Sequence, residues 1–63
     1  MKRRQVERHL RSYGCRPVGG GKHEKWRGPQ GQVGALPRHR EIGPGLVRSL
    51  CRQLGVPPPQ GSR

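Results

Sequence analysis

Few side chains in this sequence can exchange a proton near neutral pH, and their spacing narrows the choice further. The 63 residues include three histidines, two cysteines and three glutamates. His23 has the most suggestive setting, because it follows Gly19-Gly20-Gly21 and Lys22 and precedes Lys25 and Arg27. A histidine can take the proton from a ribose 2′-OH and, once charged, return one to a leaving oxygen. Lys22, Lys25 or Arg27 could then stabilise the negative charge that develops on a phosphate under attack. Residue pattern alone favours the plainer alternative, a surface histidine beside a loop. His39, between Arg38 and Arg40, could hold a turn, contact a nucleic acid or supply a second acid, and a basic patch that needs no proton transfer suits the first two.

Other chemistries fit poorly. Cys15 and Cys51 with His9, His23 and His39 contain no Cys-x2-Cys or His-x3-His pair, the short spacings that pre-arrange a tetrahedral zinc site. Glu7, Glu24 and Glu41 are scattered, whereas a magnesium-dependent nuclease clusters its carboxylates. The expectation is therefore no metal and no cofactor, with the thiols buried or half-buried and free. Gly19 to Gly21 could let backbone N–H groups approach a phosphate, but no helix pattern follows as in a phosphate-binding loop, so flexible access to His23 is the better account. No uninterrupted apolar run exceeds two residues, far short of the roughly 20 that span a membrane or the 7 to 15 of an export signal. Met1-Lys2-Arg3-Arg4 resembles the basic start of such a signal, but the apolar segment does not follow, and the expected location is the cytoplasm.

Whatever positions His23 must be built from little. Eleven glycines and seven prolines, with Leu, Val and Ile under a fifth of the chain, would by composition suggest disorder. Their placement argues otherwise. No Gly or Pro falls between Lys2 and Tyr13, where Val6, Leu10 and Tyr13 recur at helical spacing, and Gly14 sits where a left-handed cap belongs. A second such stretch runs from Leu46 to Leu54, with Leu46, Leu50 and Leu54 on one stripe and Val47 and Cys51 widening it, punctuated by Pro44 before and Gly55 after.

Between them lie short runs separated by turns. Cys15 to Val18 reads as a strand kept to an edge by Pro17. His23 to Arg27 alternates, with Glu24 and Trp26 on one side and His23, Lys25 and Arg27 on the other. Gly28-Pro29-Gln30-Gly31 is a turn, and Gln32 to Leu36 returns as a third strand. Trp26 could stack on a base, but a chain this poor in apolar residues is expected to bury it. The predicted fold is α+β, in the order α-β-β-β-α, with both helices on one face of a three-stranded antiparallel sheet. Val6, Leu10, Trp26, Leu36, Leu46, Leu50 and Leu54 would share the core. Residues 1–56 form the domain, and 57–63 are a proline-rich flexible tail.

The formal charge of +11 exceeds what solubility needs and suits a polyanion or an acidic partner. Arg38, His39 and Arg40 join Lys22, Lys25 and Arg27 as candidate nucleic-acid contacts.

Gly21-Lys22-His23-Glu24-Lys25-Trp26, then Leu36-Pro37-Arg38-His39-Arg40-Glu41-Ile42, then Pro44-Gly45-Leu46-Val47-Arg48 and Cys51-Arg52-Gln53-Leu54-Gly55 together resemble the HicA family of toxin mRNA interferases. Lys22 stands where that family usually has Ser or another small residue, and Leu46 where it often has Thr. The resemblance implies a double-stranded-RNA-binding-like fold and a metal-independent endoribonuclease that cuts mRNA without the ribosome. It implies His23 as the catalytic residue, and an acidic HicB-like antitoxin as partner to a chain that is monomeric when free. Two competing readings are a non-catalytic basic RNA-binding module on the same frame and a disordered peptide that folds on an acidic partner.

Overall fold

A computed structural model describes residues 1–59. The elements run α1 (Arg3–Ser12), β1 (Arg16–Gly19), β2 (His23–Arg27), β3 (Val33–Pro37) and α2 (Pro44–Leu54). The strands form one antiparallel sheet in the order β1-β2-β3, so the α-β-β-β-α expectation holds. β2 has the expected bounds, while β1 and β3 each shift by a residue, which moves Cys15 out of β1 and Pro37 into β3.

Both helices end in the same way. Gly14 and Gly55 adopt positive φ, the Gly14 N–H donates to the Arg11 carbonyl and the Cys15 N–H to that of Leu10. Gly55 and Val56 repeat the pair of bonds on Arg52 and Cys51. In each motif the residue after the glycine packs inward, so Cys15 and Val56 join the core. The helix stop thus also sets the direction in which the chain leaves.

The core holds Val6 and Leu10 from α1, Trp26 and Leu36 from the sheet, and Val47, Leu50, Cys51 and Leu54 from α2, with Ile42 from the β3–α2 connection. Leu46 is a correction: it is 42% exposed. At the roughly 100° per residue of an α-helix, Val47, Leu50, Cys51 and Leu54 centre a stripe that leaves Leu46 about 90° to one side. Ile42 fills that end of the core instead. Gly34 in the middle of β3 lets α2 pack close to the sheet, since a Cβ there would stand 2.7 Å from Leu50 Cδ1 and 3.4 Å from Leu54 Cδ2. Cys15 and Cys51 are free buried thiols whose pKa values burial pushes up. Among the described residues no helix is long and apolar enough to cross a membrane.

The proline-rich segment begins against the domain. Val56 is buried and the Pro57 carbonyl lies 2.7 Å from His9 Nε2. Residues 60–63 of the expected tail lie outside the described residues.

Candidate active site

Alternation along β2 sorts its side chains as the sequence anticipates. Trp26 is fully buried, while His23, Lys25 and Arg27 are exposed. Residues paired across strands share a face. His23 pairs with Pro37, Lys25 with Ala35, and Arg27 with both Val33 and Arg16, so His23 and three cations occupy the face opposite Trp26.

Two devices hold His23 in place. Gly20 has φ +126°, and a Cβ there would run into the His23 carbonyl oxygen and stand 3.0 Å from the Lys25 nitrogen. The loop folds back over the start of β2 only because that position has no side chain. Arg38, just past β3, then reaches across the sheet end, and its Nε donates to the Gly21 carbonyl at 3.1 Å. Lys22, exposed, lies between these two fixed points.

Behind this loop sits an arginine that the sequence does not single out. Arg3 donates through Nε to the Pro37 carbonyl at 3.2 Å, through a terminal nitrogen to Glu24 Oε1 at 2.7 Å, and through the other to Glu7. Glu24 Oε1 also accepts from the Trp26 indole N–H at 3.0 Å. The Arg3 guanidinium, and secondarily the indole, hold the Glu24 carboxyl below the usual carboxylate range. One side chain of α1 thus ties down β2, β3 and the residue opposite His23. The Arg11 guanidinium lies 5.3 Å from the centre of the Trp26 ring, a cation–π contact from the same helix.

The expected site residues fall into two adjoining groups. His23, Lys25 and Arg27 share the open sheet face. Arg38, His39 and Arg40 instead line a groove of about 570 Å³ whose other wall is the start of α1, including Lys2 and Arg4. Arg38 belongs to both, through its bond to Gly21. Lys2 and Arg4 are the contributors that sequence reasoning missed. Their signal is visible in hindsight: three consecutive cations, Lys2-Arg3-Arg4, open a helix whose first turn carries no acid, against the preference set by the helix dipole.

All three carboxylates are already engaged, Glu7 and Glu24 by Arg3 and Glu41 by the Met1 amino group at 3.6 Å. Among the described residues no carboxylate is therefore left to balance the cations of the open face or the groove. Arg16 and Arg27 even stand directly opposite each other, a like-charge pair that costs stability. An anion placed there would remove that cost.

A family model described as the HicA toxin of bacterial toxin-antitoxin matches residues 3–56, from the first residue of α1 to the buried Val56. No curated protein and no solved structure matches the chain. With the α-β-β-β-α order in place and the match spanning all five elements, the chain belongs to the HicA toxin family, the toxin side of a toxin–antitoxin system.

Proposed function

We infer that the chain is an endoribonuclease that cuts mRNA without a metal ion and without the ribosome. The observation that carries this reading is His23, exposed beside a clamped glycine loop on a face with Arg16, Lys25 and Arg27 and no free carboxylate among the described residues. A ring nitrogen of His23 takes the proton of a ribose 2′-OH. The freed oxygen attacks the adjacent phosphorus, the bond from phosphorus to the 5′-oxygen breaks, and that oxygen leaves with a proton returned by the imidazolium. The products are a 2′,3′-cyclic phosphate and a 5′-hydroxyl. Lys22, Lys25 and Arg27 stabilise the charge on the phosphoryl oxygens as it builds. RNA is the substrate because DNA lacks the attacking hydroxyl.

An acidic HicB-like antitoxin silences the toxin by covering this cationic face, to which its charge is complementary. The toxin acts in the cytoplasm as a monomeric domain of residues 1–56. Mapping RNA termini after cleavage in EDTA tests the chemistry. Cyclic phosphate ends formed in the presence of chelator are expected, and 3′-hydroxyl ends or loss of cleavage with chelator would overturn it. His23→Ala should keep RNA affinity while losing cleavage. A protein that binds RNA equally well with His23 or Ala and never cuts it would be a binding module.

A further inference from the structure

The groove beside the open face is more than a gap between elements. Its two walls are stitched together by backbone bonds: the Arg3 N–H donates to the Arg40 carbonyl at 2.8 Å, and the Ile42 N–H to the Met1 carbonyl at 2.7 Å. Lys2 and Glu41 pair there as an isolated antiparallel bridge. Arg3 is neutralised by Glu7 and Glu24 at the base of the groove, which leaves Lys2, Arg4, Arg38 and Arg40 as its uncompensated cations, with His39 between the last two. These side chains are exposed while the backbone beneath them is fixed, so the cations are held together against their mutual repulsion before any ligand arrives.

The geometry points to this groove as a second phosphate-binding subsite, which receives the RNA backbone on one side of the bond placed at His23. The inference rests on the ribonuclease reading and extends it to the path of the strand. Arg38 supplies the continuity, since the side chain that lines the groove also holds the loop leading into His23. The occupant is argued from the lining. Among the described residues, those lining the groove are charged side chains and His39, with no aliphatic, Phe, Tyr or Trp anchor of the kind on which protein interfaces depend. A row of cations with arginine forks is what a phosphate backbone requires. Contacts of this kind set affinity and register without reading base identity.

The test compares two double variants in a His23→Ala background, with fluorescent oligouridylate as the probe and affinity measured between about 50 and 200 mM salt. K2Q/R4Q removes two cations from the groove. R48Q/R52Q removes two from α2 outside it. Each phosphate contact on a single strand contributes about 0.7 to the slope of log affinity against log salt, so K2Q/R4Q should lower the slope by about 1.4 and R48Q/R52Q should leave it nearly unchanged. An unchanged slope in K2Q/R4Q, or an equal fall in both variants, overturns the subsite. So does a K2Q/R4Q protein that loses binding to a poly-glutamate peptide while keeping its RNA slope, since the groove would then serve an acidic protein. Cleavage by the protein with His23 intact is scored separately. A slope result as expected without any cleavage would sink the ribonuclease reading and leave the groove as an RNA-binding surface.

Discussion

Replacing Arg3 with Met tests the idea that one guanidinium fastens α1 to the sheet. Methionine keeps most of the aliphatic length and the helix propensity, so the loss is concentrated in the polar contacts. The Arg3 and Glu24 side chains are 21% and 22% exposed, which places their pair between two measured limits. An exposed ion pair contributes about 0.2 to 1 kcal/mol, and breaking a fully buried one costs about 3 to 5. About 2 kcal/mol is the resulting expectation, including the lost bond to the Pro37 carbonyl. A domain of this size holds about 3 to 9 kcal/mol in all, so the variant should unfold roughly 8 to 16 °C lower. The single tryptophan, Trp26, sits in the network and reports unfolding in urea by its fluorescence.

A double-mutant cycle with Glu24→Gln isolates the pair and should return a coupling of about 1 to 2 kcal/mol. The pH dependence supplies a second signature. Glu24 is held below the ordinary 4.5, chiefly by Arg3, so the unfolded chain binds its proton first as pH falls. The contribution of Glu24 is therefore complete above 4.5 and is lost as pH drops from there through the lowered native value. Glu24→Gln removes that acid limb, and Arg3→Met makes it shallower. An Arg3→Met protein within about 0.5 kcal/mol of wild type, or one with the full acid limb, would refute the reasoning.

Two further expectations concern glycine and leucine. Gly20→Ala meets the His23 carbonyl at a strained φ, so RNA cleavage should fall at least about tenfold, the equivalent of roughly 1.4 kcal/mol. Gly21→Ala, whose Cβ would meet nothing within 4 Å, should cleave like wild type, and equal behaviour of the two variants in a gel assay would disprove the clamp. Leu50→Ala should cost about 2 to 4 kcal/mol in urea unfolding, against under about 0.5 for Leu46→Ser. The reverse order would mean that α2 is rotated from the position described.

Much of this could be read from residue order. The breaker-free stretches carry the two helices, with α2 starting two residues before its stretch at Pro44, the alternation along His23 to Arg27 puts Trp26 inside and His23 outside, and Pro17 lies on an edge strand. What escapes the sequence depends on how elements cross. The spacing of Arg3 to Glu7 is visible, but the reach from Arg3 to Glu24, 21 positions on, follows from the angle of α1 on the sheet. Leu46 looks like a core residue because i+4 repetition suggests a stripe, yet burial follows the middle of the stripe and not its rim. Gly34 lies unremarked in the expected third strand and proves to be a point of close approach to α2, which no local pattern encodes. The groove is the extreme case, because its walls are far apart in sequence and meet only once the sheet has formed.

The bridge between Lys2 and Glu41 also bears on the order of events in synthesis. It closes a loop of about forty residues, and such a closure is entropically costly until β3 and its flanks exist to hold it. At about 5 to 20 residues per second, the ribosome makes the first wall of the groove several seconds before the second. Lys2 must wait for a partner made about forty residues later. A chain stopped before Arg38 already has α1 and all three strands but only one wall of the groove, so the groove is completed only after the segment that carries His23.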